Sequence, residues 1–306
     1  MSEYHIPVLL DESVTALVGD AVSGIYADAT FGGGGHSREI LSRLTNAGRV
    51  IAFDRDRDAL ANKPDDSRLV LIHNNFRFIH NYVLEQGYGD GIDGILADLG
   101  VSSHQFDTAD RGFSFRFDAA LDMRMNRSAR MTAADIVNGY SEEELERVLR
   151  IYGEVEGSRK MARLICQART SATIETTGQL DKAIECMLPK FAEHKVLAKV
   201  YQALRIEVNQ EMKSLEKFLE GAARSLKPGG RLAVITYHSL EDRMVKNFIR
   251  CGNVDGRVEK DLYGRTDAPL EAVNRKPILP REDEIAGNTR ARSAKLRVAI
   301  RRSPGE

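Results

Sequence analysis

The sequence predicts an α/β fold in which a doubly wound, mostly parallel sheet carries an inserted helical domain. In the first third of the chain, short apolar runs alternate with helical patterns, which is typical of parallel strands joined by right-handed crossovers. Between residues 132 and 226, by contrast, every periodic segment has helical spacing. We therefore expect residues 1–104 and 212–306 to form the sheet domain and residues 105–211 to form the insertion.

Four buried strands are expected before residue 100, each a short run of apolar residues. The strands cover residues 24–29, 49–53, 68–72 and 94–97, and the helices between them cover residues 37–44, 56–61 and 76–85. After Asp98 the periodicity is lost, and residues 101–130, rich in Gly, Ser, Phe and Arg, are expected to form an ordered functional loop.

The insertion carries two capping-box patterns that mark helix starts, Ser141 to Glu144 and Thr176 to Gln179. Its longest apolar stripe, over residues 201–226, predicts one long helix. The sheet then resumes with a turn at residues 227–230, a strand at 231–237, a helix to about residue 248 and a late strand at 294–300. The polar stretch 255–287 is expected to form long surface loops.

Composition and charge exclude several classes of protein. Hydrophobic residues at 42% and charged residues at 29% are ordinary for a globular protein, which argues against a disordered or fibrous chain. No apolar run approaches a membrane span and the start lacks a leader pattern, so a cytoplasmic protein without a membrane partner is expected. Three cysteines without CxxC spacing predict neither a disulfide framework nor a metal site.

The strongest chemical signal is the run of four glycines, Gly32 to Gly35, between the first strand and the first helix. Such a loop lets a ligand approach main-chain N–H groups, whereas a tight turn alone needs only one or two glycines. The dinucleotide pattern GxGxxG is not matched, because Ser37 stands where the third glycine is required. This mismatch weakens the hypothesis that the cofactor is a nicotinamide dinucleotide. Asp28 lies four residues before Gly32, and this pattern of an acidic residue followed by glycines resembles the first motif of S-adenosylmethionine (SAM)-dependent methyltransferases.

Three further polar residues follow predicted strands and so face the ligand edge of an open α/β sheet. Asp54 ends the second strand, where a carboxylate can accept hydrogen bonds from a ribose diol of either cofactor. Asp98 ends the fourth strand and is placed at the bottom of the reaction cleft, with a helix-capping role as its alternative. His238 follows the strand 231–237 and is either a site residue or a hydrogen-bonded structural histidine. The next residues, Ser239 and Asp242, are expected to form an ordinary helix N-cap.

Two segments have a local positive charge although the whole chain has a net charge of −1. Residues 288–306, which include Arg290 and Arg292, carry six cations against Glu306, and residues 111–130, beginning at Arg111, carry five arginines against two aspartates. A solvated charged face is the ordinary explanation for such runs. A local excess of positive charge in a chain that is nearly neutral overall favours contacts with the phosphates of a nucleic acid.

These and other segments together resemble one family over nearly the whole chain. The resemblance is carried by residues 5–10, the glycine loop to Ser37, residues 98–103, 111–115, 121–125, 229–243 and 288–293. They are similar to the MraW family of ribosomal RNA small-subunit methyltransferases. The resemblance implies a class I SAM-dependent methyltransferase fold with a helical insertion. It also implies methylation of the exocyclic N4 of one cytidine in the decoding region of bacterial 16S rRNA.

Carried over residue by residue, the family's SAM contacts fall on seven positions of this chain: Gly34, Gly35, His36, Asp54, Phe76, Asp98 and Gln105. The predicted RNA contacts are Arg111, His238, Arg290 and Arg292. The expected partner is 16S rRNA in the small ribosomal subunit or a late assembly particle. The sequence leaves open whether the protein forms a homodimer. One departure is that Asp98 is followed by Leu-Gly-Val, where many amino-methyltransferases have Pro-Pro-Tyr, so no base-holding aromatic residue is identified.

Cytosine N4 is a weak nucleophile because its lone pair is delocalised into the ring, so Asp98 is the candidate acceptor of a hydrogen bond from the amine. Binding the methionine end of SAM is its alternative role. Methylation of C5 would need a cysteine nucleophile, usually beside a proline, and no cysteine here has a proline neighbour. Two other classes remain as alternatives, an NAD-dependent oxidoreductase and a methyltransferase-like RNA-binding module without chemistry.

Overall fold

The computed structural model of this chain describes residues 7–258 and 268–303. The chain divides into two compact units, Met1–Gly100 together with Met212–Glu306, and Val101–Glu211. The second unit begins at Val101, before the predicted start at residue 105, because Val101 packs against the core of the helical unit. His5 and Ile6 of the first family-like segment and Glu306 of the last segment lie outside the described residues.

The first unit contains a seven-stranded sheet with the order β3-β2-β1-β4-β5-β7-β6. The strands are β1 (Ile25–Asp28), β2 (Arg49–Asp54), β3 (Leu69–His73), β4 (Ile92–Asp98), β5 (Leu226–Thr236), β6 (Leu270–Ala272) and β7 (Lys295–Arg301). Strands β1 to β5 pair in parallel, whereas β7 runs antiparallel to both β5 and β6. The predicted doubly wound, mostly parallel sheet is confirmed.

Twelve α-helices lie in the described part of the chain, six of them wholly inside the helical unit. They are α1 (Leu10–Val18), α2 (Gly35–Arg43), α3 (Ile79–Glu85), α4 (Ser103–Asp107), α5 (Ala133–Gly139), α6 (Glu142–Gly153), α7 (Ser158–Ser171), α8 (Thr177–Ile184), α9 (Glu193–Asn209), α10 (Glu211–Ser225), α11 (Ser239–Cys251) and α12 (Glu282–Gly287). None of the helices in this part of the chain has the length and apolar character needed to cross a membrane.

The order of the strands fixes where a ligand can bind. From β1 the chain builds β2 and β3 on one side, and then crosses to place β4 on the other side of β1. Open α/β sheets bind ligands at such a switch point, outside the carboxyl ends of the strands. Asp28, Asp54 and Asp98 are the last residues of β1, β2 and β4. Three acidic residues therefore share this edge of the sheet.

The four early strands are confirmed with small shifts of their ends, but several other elements differ from the prediction. The helix expected at 56–61 is a 3₁₀ helix, Arg57–Asn62, and the one expected at 76–85 begins as a 3₁₀ turn, Phe76–Phe78, before α3. In both cases the residue before the 3₁₀ segment, Asp56 or Asn75, caps it with its side chain. The 3₁₀ helix is common in such short connectors and at helix starts, since its poorer hydrogen-bond geometry disfavours only longer runs.

The turn expected at residues 227–230 lies inside β5. Pairing of β5 with β4 passes from Leu226 opposite Ile92 directly to Arg231 opposite Gly94, so the intervening residues form an irregularity in the strand. Gly229 has a φ of +80° there, which explains the turn-like sequence. The stretch 255–287, expected as loops, contains β6 and α12 within its described residues.

The helical unit has its own apolar core, to which α5 to α9 all contribute. Both predicted capping boxes, at Ser141 and at Thr176, are confirmed. The single helix expected over 201–226 is two helices, because Gln210 has a φ of +49° between α9 and α10. The sequence pattern is continuous across this break since both helices keep an apolar face.

Candidate active site

The glycine loop connects β1 to α2 in a conformation that other residues would strain. Gly32 and Gly34 have φ values of +51° and +77°. A Cβ on Gly34 would lie 2.8 Å from the ring of Phe31, and a Cβ on Gly35 would clash with the ring of Pro7. The glycines are therefore required by the main-chain path and by close neighbours on both sides.

Asp28 supports this loop from inside the protein. Its carboxylate is fully buried, with Oδ1 accepting from the N–H of Thr30 at 3.1 Å and Oδ2 accepting from the hydroxyl of Ser37 at 2.6 Å. Burial raises the pKa of the Asp28 carboxyl. The acidic residue of the methyltransferase-like motif thus holds the loop in shape.

Asp54 lies under the other end of the loop. Its Oδ2 accepts from the N–H of Gly32 at 2.8 Å, and its Oδ1 accepts from the N–H of Asp56 at 2.8 Å. Burial raises the pKa of the Asp54 carboxyl to about 6. Each carboxylate oxygen can accept a second hydrogen bond, so a ligand hydroxyl can be added at this position.

Asp98 lies at the switch point, where its side chain remains 22% exposed. Its backbone N–H donates to the hydroxyl of Thr30 at 2.6 Å, which ties β4 to the end of β1. Oδ1 accepts from the hydroxyl of Tyr237 at 2.7 Å, and Oδ2 lies 3.9 Å from Nδ1 of His36. Burial is the main cause that raises the pKa of the Asp98 carboxyl to about 6.

His36 is the second residue of α2 and is 5% exposed. Its Nε2 lies 3.2 Å from the carbonyl oxygen of Val8, so we assign the ring proton to Nε2, which donates to that carbonyl. Burial lowers the pKa of the imidazole. In the resulting neutral ring, Nδ1 directs a lone pair towards Asp98.

Phe76 and Gln105 have different surroundings. Phe76 follows β3 and packs edge-on against Phe218, with ring centroids 5.2 Å apart, so it is near the carboxyl edge of the sheet beside β2. Gln105 belongs to the helical unit, where its Oε1 accepts from the N–H of Ser102 at 3.2 Å in a capping box at the start of α4. Its role in cofactor binding stays a prediction.

The structure contradicts the predicted RNA contact of Arg111. The side chain is 2% exposed and lies inside the helical unit. One of its terminal nitrogens donates to the carbonyl oxygens of Arg124 and Met125, at 3.0 and 3.1 Å. Arg111 therefore supports the path of the loop that follows it and is not available to a phosphate.

His238 is the N-cap of α11, a position predicted for Ser239. Its Nδ1 accepts from the N–H of Glu241 at 3.5 Å, its Nε2 lies 3.1 Å from Oε1 of Glu241, and its side chain is 10% exposed. These contacts favour the structural alternative over an RNA contact. Asp242, predicted as part of the same cap, instead pairs with Arg297 at 2.7 Å.

Arg290 and Arg292 follow α12 in a 3₁₀ helix, Thr289–Ser293, with Arg292 exposed and Arg290 half-buried. Glu284 in α12 accepts from the N–H of Leu9 at 2.7 Å, next to Val8, the partner of His36. Two hydrogen bonds thus connect α12, the helix before the arginine segment, to His36 and so to the neighbourhood of Asp98. The charge excess counted for residues 288–306 is reduced locally, because Asp242 neutralises Arg297.

Tyr237 was missed by the sequence analysis, although it touches Asp98 directly. It is the residue after β5, and β5 pairs with β4 so that Ile235 lies opposite Asp98. Side chains two residues apart on a strand point to the same face, so Tyr237 belongs on the face of Asp98 and His238 on the opposite one. That alternation was readable from the sequence.

The chain matches one protein family over nearly its whole length. The MraW methylase family matches residues 2–302. Ribosomal RNA small subunit methyltransferase H from Bacteroides fragilis (strain YCH46) is 55% identical over 296 residues, covering 97% of both chains. The protein of the same name from Christiangramia forsetii is 51% identical over 299 residues, covering 98% of both chains.

Among solved structures, an rRNA methylase from Streptococcus thermophilus aligns over 98% of this chain and 99% of its own, with a TM-score of 0.41 and 12% sequence identity. The family match and the identities above cover nearly the whole sequence. The chain therefore belongs to the MraW methylase family and is a methyltransferase whose methyl donor is SAM.

Proposed function

We propose that this protein transfers the methyl group of SAM to the exocyclic N4 of a cytidine in the decoding region of bacterial 16S rRNA. Its substrate is the small ribosomal subunit or a late assembly particle. The named relatives, which are small-subunit rRNA methyltransferases, support the RNA class. The observation that carries the chemistry is the partly exposed carboxylate of Asp98 at the switch point of the sheet.

The residues of the first unit fit SAM. Two carboxylates at the carboxyl edge, Asp54 and Asp98, have pKa values raised to about 6, chiefly by burial. SAM brings a sulfonium and an ammonium charge, which favour ionised carboxylates, whereas the pyrophosphate of NAD would be repelled by them. In this proposal Asp54 accepts hydrogen bonds from the ribose diol beside the glycine loop, and Phe76 contacts the adenine.

When bound, SAM supplies an electrophilic methyl group on its sulfonium. Asp98 contributes an acceptor whose Oδ1 receives a hydrogen bond from Tyr237 and whose backbone N–H is bonded to Thr30. A hydrogen bond from the N4 amine to Oδ2 turns the nitrogen lone pair towards the methyl group, and the same oxygen takes the proton that N4 loses. Asp98 must be ionised for this, so the rate falls as the pH drops through its pKa.

The RNA is held by the segment that contains Arg290 and Arg292. Arg292 is exposed, and the contacts of Glu284 with Leu9 and of Val8 with His36 link α12, directly before the segment, to the residues around Asp98. Phosphate contacts there fix the register of the RNA, while the target base leaves its stack to reach the carboxylate. In this proposal the arginines bind phosphates because they are positively charged, and Asp98 receives the base because it lies at the switch point of the sheet.

The proposal is tested with radiolabelled SAM and small ribosomal subunits that lack the modification, followed by nucleoside analysis. The label is expected in N4-methylcytidine. Asp98→Asn should lower the single-turnover rate by roughly 10²- to 10⁴-fold. The control is Asp93→Asn at the other end of β4, which removes a carboxylate but keeps an acceptor for the N–H of Ile25.

SAM affinity is measured in parallel. A loss confined to SAM binding would make Asp98 a ligand of the methionine end with no part in activating the amine. SAM binding without transfer to any nucleoside would favour the RNA-binding module without chemistry.

A further inference from the structure

Tyr237 is fixed at three points. Its backbone N–H donates to Oε2 of Glu241 at 3.0 Å, and its hydroxyl donates to Oδ1 of Asp98 at 2.7 Å. Its ring lies against Gly100, where an added Cβ would be 3.5 Å from Cδ2 of the tyrosine and where the φ of +98° favours glycine. A side chain held in this way has little freedom to move away from the carboxylate.

The two oxygens of Asp98 differ in their surroundings. Oδ1 accepts the phenolic hydrogen bond, whereas Oδ2 faces Nδ1 of His36 at 3.9 Å. In the neutral ring assigned above, the proton is on Nε2 and is donated to Val8, so Nδ1 offers Oδ2 no hydrogen. Oδ1 has thus already accepted one hydrogen bond, whereas Oδ2 accepts none from the described residues and keeps its full acceptor capacity for a ligand.

We propose that Tyr237 is a positioning residue for the reaction: its hydroxyl fixes the rotation of the Asp98 carboxylate and keeps Oδ2 directed at the amine that is methylated. The inference rests on the proposed function for the identity of the amine. The contact with Asp98 itself is independent of it. Tyr237 touches neither reactant in this role and acts through Asp98.

The charged and titratable groups around Asp98 favour this arrangement. His36 faces it from α2, Asp28 from the end of β1, Glu241 from α11 and Tyr237 from the end of β5, with Glu284 acting on Tyr237. Burial and the two acidic neighbours raise the pKa of Asp98, while His36, when charged, and the hydrogen bond from Tyr237 lower it. Tyr237 thus stabilises the ionised form that accepts from an amine.

The first test needs neither SAM nor RNA. The carboxyl carbon of Asp98 is titrated by ¹³C NMR in the free protein and assigned from its absence in Asp98→Asn. Tyr237→Phe should raise the pKa of Asp98 by about one unit, the equivalent of one lost hydrogen bond. The control, Tyr26→Phe, removes a buried hydroxyl that donates to Ala21 on the opposite edge of the sheet and should leave the titration unchanged.

The second test follows methyl transfer as a function of pH under single-turnover conditions. In Tyr237→Phe the acid limb should move to higher pH by the same amount as the carboxyl titration. The rate at high pH should fall about three- to tenfold, because the carboxylate samples other rotations. Tyr26→Phe should match the wild type in the position of the acid limb and in the rate at high pH. This should hold even if it loses as much thermal stability as Tyr237→Phe.

The outcomes separate the two claims. An unchanged Asp98 titration in Tyr237→Phe, or an unshifted acid limb, overturns the positioning role whatever the protein methylates. A wild-type protein that does not methylate N4 overturns the proposed function, while the carboxyl titration still decides whether Tyr237 governs Asp98.

Discussion

At the scale of single residues, the carboxylates of Asp54 and Asp98, the proposed ligand contacts, oppose folding of the ligand-free protein when they are ionised. Burial raises the pKa of both groups to about 6, so at neutral pH each is ionised in surroundings that favour its neutral form. Groups with strongly raised pKa values at a ligand edge are typical of functional sites. The same feature predicts that removing one of these charges stabilises the ligand-free protein.

Asp98→Asn is expected to increase the free energy of unfolding above pH 6 by about 1–3 kcal/mol, since a shift of about two pKa units corresponds to roughly that range. The carboxyl binds its proton more tightly in the folded state than at its ordinary value of 3.8. Its contribution to stability is therefore present below pH 3.8 and is lost as the pH rises to about 6. Chemical denaturation between pH 4 and pH 8 measures the difference.

Tyr237 can still donate to the Asn oxygen in that variant, so the packing is preserved. A variant less stable than the wild type at pH 8 would show that the ionised carboxylate is satisfied in the fold.

Asp54→Asn should weaken SAM binding by about 1.5–3 kcal/mol, the scale of a charge-assisted hydrogen bond. Wild-type affinity should also fall below pH 6, as Asp54 becomes protonated, and this pH dependence should be smaller in the variant. Calorimetry with SAM measures both effects. Asp66→Asn, which removes a carboxylate paired with Arg68, is the control and should bind SAM like the wild type.

How far single residues could be predicted depended on whether their role is local. The acidic residues at strand ends were identified because the strand pattern alone fixes their position. Arg111 was misassigned since its partners, the carbonyls of Arg124 and Met125, are provided by a loop whose path no periodicity indicates. Tyr237 was overlooked next to His238, although alternation along β5 favours the tyrosine.

At the scale of elements, strands were predicted better than helix ends. A buried parallel strand is a continuous apolar run bounded by turn residues, and β1 to β4 satisfy this pattern. The break at Gln210 and the two 3₁₀ segments could not be read, because apolar spacing continues through them. The irregularity in β5 was predicted as a turn since Pro228 and two glycines have that composition in either setting.

The arginine segment after α12 is the element expected to hold RNA. Replacing Arg290 and Arg292 together by Gln should reduce the slope of log affinity against log salt by about 0.7 per lost contact with single-stranded RNA. SAM binding should remain intact. Filter binding to small-subunit rRNA over a range of salt concentrations provides the slope.

The matched control replaces Lys217 and Arg224 by Gln. Both line a groove with Arg301, near the amino ends of the parallel strands and thus opposite the proposed site. An equal change of slope in both double variants would mean that the RNA has no preference for the segment after α12.

At the scale of the whole molecule, the distribution of cysteines bears on which atom is methylated. Cys166 lies in α7 and Cys186 in the 3₁₀ turn Glu185–Met187, both in the helical unit. Burial raises the pKa of the Cys166 thiol, the opposite of what a nucleophile needs. Cys251 ends α11, about 20 Å of helix from His238 at its start. Cys251 is the cysteine of the sheet unit, and the length of α11 separates it from His238.

Direct transfer to N4 therefore predicts that a cysteine-free protein is active. The variant combines Cys166→Ser, Cys186→Ser and Cys251→Ala. Its single-turnover rate should stay within about threefold of the wild type, because no covalent intermediate is formed. Some stability is lost, about 1–2 kcal/mol, since Ala at position 251 leaves a small cavity. The rate is therefore measured at a temperature where circular dichroism shows both proteins folded. A folded cysteine-free variant without activity, or a methyl group found on C5, would require a thiolate that adds to the ring, and Asp98 would then lose its role as the acceptor that activates the amine.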